Sequence, residues 1–485
     1  MTRTKKPLIC LILAATFGCS STDKGAKSAG NDGAGSGGSG AIGAGGASNA
    51  GAGNHGGAAT SGAGGSAQSG QAGSGNAPSS GGSAGSAAVL GGSGGAGTAG
   101  SANSGGGRAG AATSGGAAGM SGSAAVGGAG AGIGGAATAG ASGAGDVVDA
   151  TTMAKAMGFG ANIGNTFDNT TAWETGWGEP LVTQAYIGGM ASRGIKTVRV
   201  PVAWNTYAVN GVIDPTKMDR VKEVVGWIEA AGMYAIVNIH WDGGWIDNDT
   251  DGNPNRYTLT DDVKTKFASY WTQIATAFAS VDDKLVFEGL NEESKFYVNG
   301  DTSQAPDYGA LNTLNQLFVT TVRAQSGYNK TRALLIAGFT TDIDLTCVDA
   351  FTVPTDPAGA GKLFLSIHYY TPYTFCGLDD VESWGSPQTT WGTDADESTL
   401  DGLFTKLGTF STQRNIPVIL GEFAVTVGTN YPRDPASRIL WMETVARSSF
   451  SRGIVPVLWD TGSDISRTDG SFSTALQTVM TDLGQ

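Results

Sequence analysis

The chain has 485 residues, 79 of them glycine, and a formal net charge of −13 with a sequence pI near 4.7. That balance offers no basic face for phosphates, so nucleic acid is not an expected partner, and three histidines in all leave no multi-histidine zinc site. Residues 25–145 are Gly, Ala and Ser-rich without one Phe, Trp or Tyr, whereas all 11 tryptophans come later, so that stretch cannot offset its chain entropy by burial and reads as disordered.

In chain order, Arg3, Lys5 and Lys6 precede a short apolar run, Leu8 to Thr16, too short to span a bilayer. Cys19 follows Gly18 and precedes Ser20, Ser21 and Thr22. A small residue before Cys and a polar tether after it resemble a bacterial lipoprotein cleavage site, so Cys19 is the lipidation candidate. Thr16 and Phe17 depart from that pattern, and a simple secretory signal is the alternative. The expected organisation is a signal peptide at 1–19, a low-complexity disordered linker at 20–145 and a catalytic domain at 146–485. Membrane contact is expected only through the lipid. Within the linker, Gly95 to Gly100 spells G-x-G-x-x-G and Gly91 to Gly95 spells G-x-S-x-G. Neither lies between a strand and a helix, so both are accidents of composition.

From Asp146 onward, strand-type apolar runs recur: Met157–Ile163, Thr197–Val200, Tyr234–Ile239, Leu285–Leu290, Ala333–Ala337, Leu363–Ile367, Pro417–Leu420 and Ile454–Trp459. Amphipathic helical stretches lie between them; Val221, Val224, Val225 and Ile228 share one face, and Leu311, Leu314, Phe318 and Val322 share another. A doubly wound sheet has the same alternation. Eight units without a phosphate-binding glycine turn favour an α/β protein of the (β/α)8 (TIM) barrel type.

In a barrel the chemistry sits where strands end. Those ends carry Arg199, Trp204, His240, Asn291, Glu292, His368, Tyr370, Glu422, Trp459 and Asp460. Polar and aromatic groups at nearly every strand end exceed what packing needs. Glu292 and Glu422, from the fourth and seventh runs, face one another across such a mouth. Two carboxylates flanking one bond are what glycosidic cleavage requires, one protonated and one ionised. Glu293 reads as solvent-facing, and Glu288, on interior parity, as half of a buried ion pair.

The stretches Ile163 to Asp168, Arg199-Val200-Pro201, Asn238-Ile239-His240, Phe287 to Glu292, His368-Tyr369-Tyr370, Gly421-Glu422-Phe423 and Trp459-Asp460 together resemble glycoside hydrolase family 5, most like its endoglucanase-rich subfamily 4. The resemblance implies a retaining endo-β-1,4-glucanase acting on cellulose-type β-glucan, with Glu292 as acid/base and Glu422 as nucleophile. It further implies that Arg199 holds Glu422 ionised and that His368 and Tyr370 orient the two acids. His240 and Asn291 would contact the sugar, over Trp459 as a floor. Asn165 is a further binding candidate, with a turn cap as the plain alternative. Many relatives have a second His where this chain has Trp241. Xyloglucan, mixed-linkage glucan, mannan and xylan remain alternative substrates, and a non-catalytic lectin is a rival class that would not need both glutamates. A serine hydrolase is disfavoured, since no G-x-S-x-G follows a strand.

The reaction calls for no cofactor and no metal, and the chain is expected to be monomeric. Asp247 to Gly252 begins like a calcium loop, but its twelfth position is Thr258 rather than Glu, so a polar acidic turn is expected. Trp173, Trp177, Trp241, Trp245 and Trp384 fall in loops as candidates for distal sugar contacts. Trp227, Trp271 and Trp441 fall in helices, as core. Cys347 and Cys376 are a candidate disulfide in an oxidising compartment.

Overall fold

The computed structural model describes residues 148–246, 259–294, 296–297 and 304–485. The leader, Cys19, the Gly/Ala/Ser stretch and the Asp247 to Gly252 segment lie outside them.

Eight parallel strands close into a barrel in chain order: β1 (Gly160–Asn162), β2 (Thr197–Val200), β3 (Tyr234–Asn238), β4 (Leu285–Glu288), β5 (Leu334–Ala337), β6 (Leu363–Tyr369), β7 (Val418–Phe423) and β8 (Val455–Leu458), with β8 pairing back to β1. Each expected run holds one strand. The first begins later than its apolar pattern suggests, because Met157 ends a helix, α1 (Ala150–Met157). Asp149 caps that helix by accepting from the Thr152 amide, and Gly158 at φ 52° stops it. Met153 and Met157 pack with Ile236, Val286, Leu335, Phe364, Ile419 and Val455. These come from the early residues of the strands, so α1 closes the amino-terminal end of the barrel.

The outer helices start where the chain supplies caps. α2 (Gln184–Ser192) is capped by Thr183, and α3 (Pro215–Ala230) by Asp214 with proline at its first position. α4 (Asp261–Ala277) and α5 (Tyr308–Ala324) are capped by Thr260 and Asp307. One-turn helices α6 (Ile343–Thr346) and α7 (Tyr373–Cys376) lie in the loops after β5 and β6. α8 (Asp394–Arg414) opens with a reciprocal Thr393–Asp396 capping box, and α9 (Pro435–Phe450) and α10 (Thr474–Leu483) follow. Val221, Val224, Val225 and Ile228 of α3 and Leu311, Leu314, Phe318 and Val322 of α5 are buried against the barrel wall as their spacing predicts.

One irregularity positions the site. Along β6 and β7, Ile367 pairs with Leu420 but His368 pairs with Glu422. Along β7 and β8, Pro456 pairs with Leu420 but Leu458 with Phe423. An extra residue is therefore accommodated at Gly421–Glu422, a β-bulge. Ile419 packs inside the barrel and Leu420 in the surrounding layer. Regular alternation would return Gly421 to the interior and send Glu422 outward. The bulge brings Glu422 inward as well, and Phe423 returns to the outer layer against Phe159 and Trp441.

Cys347, in the loop after β5, and Cys376, ending α7, are free thiols rather than the expected disulfide. Each is packed into the hydrophobic core by its own loop. Burial pushes the Cys347 thiol up to about 12 and that of Cys376 well above its ordinary value, so both are held protonated and unreactive.

Candidate active site

At the carboxyl ends of the strands, a buried cation organises a ring of acids. Arg199 of β2 is fully buried. Its Nε donates to Glu288 Oε2 at 2.6 Å, its Nη1 to Glu422 Oε1 at 2.7 Å and Asn162 Oδ1 at 3.0 Å, and its Nη2 to Asn291 Oδ1 at 2.8 Å. Burial opposes the charge, but the carboxylates of Glu288 and Glu422 outweigh it and raise the guanidinium above its ordinary pKa. Ser366 Oγ donates to the other oxygen of Glu288 at 2.7 Å, so Glu288 is the buried partner that interior parity on β4 suggests.

Glu422 is thus held by Arg199 on one oxygen and by Tyr370 Oη on the other, at 2.9 Å. Burial raises its pKa; His368 and Arg199 pull it down, Glu292 pushes it up, and the net shift is upward. The resemblance predicts a carboxylate that Arg199 simply keeps ionised. Arg199 does lower the Glu422 pKa as implied, but the loss of water outweighs Arg199 and His368 together, so the net shift is upward.

Glu292, just past β4, has a side chain 32% exposed and meets His368 Nδ1 at 2.6 Å. The same nitrogen lies 3.6 Å from Glu422 Oε2. Burial disfavours charge on His368, yet the Glu422 field and the Glu292 hydrogen bond prevail and raise its pKa. One oxygen of each glutamate and a ring nitrogen of His368 fall within 4.8 Å of one another. These donors are close enough to hold a cation, but hydrogen bonds from His368, Tyr370 and Arg199 already occupy them, and Arg199 would repel one. The arrangement is that of a carboxylate pair sharing one reaction space.

The remaining candidates converge on this pair. Asn238 Oδ1 accepts from the Val202 amide, which turns its NH2 toward His240 Nδ1 at 3.3 Å. Burial, Arg199 and His368 push His240 well below its ordinary pKa. It is therefore neutral, with Nδ1 accepting and Nε2–H left to donate. Its ring lies parallel to half-buried Trp459, centroids 5.7 Å apart and planes 6° off. A side chain at Gly164 would strike Trp459 at 2.9 Å, so only glycine lets that turn pass behind the indole. Asn291 spends its oxygen on Arg199, leaving its NH2 to donate. Asn165 sits at φ 56° beside that turn, its amide donating to Asp168 Oδ2 at 3.1 Å. Asp168 also accepts from the Thr166 amide, and burial pushes its carboxyl up to about 6 against these donors.

The loop tryptophans divide. Trp241 and Trp384 are 46% and 42% exposed. Trp173 is buried, edge-on to Phe167 and Tyr207, and belongs to the core instead of a sugar site. Trp245 is half-buried edge-on to Tyr270, and Trp177 is half-buried too. Trp271 and Trp441 are core as expected, and Trp227 packs partly buried against it. Glu293 is buried, not solvent-facing, as are Phe296 and Tyr297 after it. Asn162 ends β1, Ser366 lies inside β6 and Asp168 closes the Ile163 to Asp168 stretch, and nothing in the sequence marks any of the three individually as a site residue.

A profile described as "Cellulase (glycosyl hydrolase family 5)" matches residues 157–464. Endoglucanase A of Paenibacillus barcinonensis is 32% identical over 321 residues, 61% of this chain and 77% of that protein. Among solved structures, a GH5-4 broad specificity endoglucanase from an uncultured bovine rumen ciliate superposes with a TM-score of 0.61 at 33% identity, covering 70% of this chain and 99% of that one. A Bacteroides ovatus GH5 xyloglucanase in complex with a XXXG heptasaccharide gives 0.62 at 29% identity, covering 70% and 77%. With the barrel and its paired strand-end glutamates, these likenesses place the chain in glycosyl hydrolase family 5.

Proposed function

We propose that this chain is a retaining endo-β-1,4-glucanase that cleaves cellulose-type polysaccharides by double displacement. The observation that carries the reading is the carboxylate pair within 4.8 Å through His368, a spacing suited to direct attack with no water between the acids; roughly 5–5.5 Å between carboxyl groups is typical of retention. Glu422 attacks the anomeric carbon while Glu292 gives its proton to the glycosidic oxygen. The C–O bond breaks and the reducing-end segment leaves as an alcohol. Water then attacks the glycosyl ester, giving its proton to Glu292 and freeing Glu422. Tyr370 and Arg199 hold the nucleophile's two oxygens, His240 and Asn291 supply donors to the sugar, and Trp459 supplies a face.

Initial rates on cellulose, xyloglucan, mixed-linkage glucan, mannan and xylan test the reading. Activity on β-1,4-glucan chains that Glu422→Ala abolishes supports it. Binding without any Glu422-dependent release of reducing ends would point to a lectin. Xyloglucan is the second reading, favoured by the likeness to the B. ovatus enzyme, and a rate on xyloglucan well above that on unbranched glucan would establish it. The leader and Cys19 support an extracytoplasmic, surface-anchored location, which the mass of the mature amino terminus tests.

A further inference from the structure

Asn162 of β1 is fully buried, and all three of its polar positions are used. Its Nδ2 donates to the carbonyls of Gly421 at 2.9 Å and Leu458 at 3.1 Å, and its Oδ1 accepts from Arg199 Nη1 at 3.0 Å. That same Nη1 donates to Glu422 Oε1 at 2.7 Å. One amide therefore reaches Glu422 by two routes, through the peptide immediately before it and through the cation that binds its carboxylate.

The two carbonyls belong to the irregular stretch of the barrel. The β7–β8 register shifts between Pro456 and Leu458, and the β6–β7 register shifts where Glu422 turns inward. A bulge leaves backbone groups outside the regular ladder, and a buried orphan carbonyl is costly. A group with two donors would meet that need. Filling the gap alone does not call for the third contact, an acceptor on Arg199 Nη1. Two donors and one acceptor on so short a side chain are peculiar to Asn; Asp lacks the donors and Ser has one.

We propose that Asn162 is a positioning residue for Glu422, fixing the bulge that aims it and the guanidinium edge that holds it. The proposal rests on Glu422 being the nucleophile.

The test is covalent trapping of the full-length protein with 2,4-dinitrophenyl 2-deoxy-2-fluoro-β-cellobioside. Glu422 displaces dinitrophenolate, which leaves with the electron pair of the broken C–O bond. The fluorine slows hydrolysis of the resulting ester. No proton is needed by this leaving group, so the rate reports the nucleophile without the acid. In the wild type, peptide mapping places one cellobiosyl unit on Glu422. Asn162→Ala slows trapping about 30-fold, with reagent affinity within about threefold. Asn162→Asp keeps an acceptor for Arg199 but loses both donors; it slows trapping comparably and moves its acid limb to higher pH, because a second carboxylate faces Glu422. Should Asn162→Ala not fold, Asn162→Ser carries the same comparison with one donor kept. A variant that melts lower but is trapped at the wild-type rate with an unmoved pH limb overturns the proposal, leaving Asn162 a structural plug. Wild-type label on another residue overturns the nucleophile reading, and the proposal with it.

Discussion

Glu422 is the most buried of the two reacting acids, and its surroundings set the pH at which it can act. Burial raises its pKa above the ordinary 4.5 despite Arg199 and His368. The free enzyme must hold it ionised, so kcat/KM falls as pH drops through that raised value. The acid limb of kcat/KM on an aryl β-cellobioside is expected above pH 4.5; a limb at or below it would mean that Arg199 outweighs burial. Glu292 has a separable task. Glu292→Ala should cost about 1,000-fold on polymer, where the leaving alcohol needs a proton, and far less on a dinitrophenyl glycoside. Added azide should restore turnover and give the β-glycosyl azide. Equal losses on both substrates would remove Glu292 from the acid/base role. These two residues were legible because each ends a recognisable apolar run. Asn162 and Ser366 were not, because a short polar residue inside a strand has the same sequence signature whether it fills a gap or holds an arginine.

At the scale of elements, the strands were readable from their apolar runs, and the helices from their caps and faces. Two features escaped. The first run took in Met157, the last residue of α1, since Met157 and Phe159 are equally apolar and only Gly158 divides them. The bulge in β7 escaped because register is a relation between strands, and nothing in Val418 to Phe423 records which neighbour each residue meets. Its tightness makes a prediction. A methyl group on Gly421 would lie 3.0 Å from His368 Nε2 and 3.3 Å from Ser366 Oγ. Gly421→Ala should therefore push His368 off the glutamates and lower kcat/KM at least about 10-fold while the fold survives. Unchanged kinetics would show that the bulge tolerates a side chain and that its geometry is not critical.

For the whole molecule, the expected disulfide failed for a reason of scale: the expectation came from the compartment that the leader suggests, but Cys347 and Cys376 are each placed by their own loop and seal their own part of the core. Reductant should leave the melting temperature unchanged, and a drop of several degrees would reveal a bridge. Stability should also depend on pH in an unusual direction. Burial pushes Asp168, and Asp242, a buried acceptor of the Thr206 amide in the loop after β3, up to about 6 from 3.8, so between those values the folded state binds more protons than the unfolded one. Each group then removes stability as pH rises through that window, by up to about 1.4 kcal/mol per pH unit. His240, neutral when folded but free to charge when unfolded, works the other way over the same window, so thermal unfolding should show a midpoint that does not rise from pH 5 to pH 7; a midpoint that climbs steadily over this range would contradict the aspartate placements.

The stereochemistry of the first product is the most direct test of the central claim, that Glu292 and Glu422 act on one anomeric carbon from a shared space too narrow for an intervening water. Proton NMR during hydrolysis of a β-1,4-glucan oligosaccharide should record the β anomer first, with the α signal growing only at the rate of mutarotation. An initial burst of the α anomer would mean inversion, and the double displacement through Glu422 would be wrong.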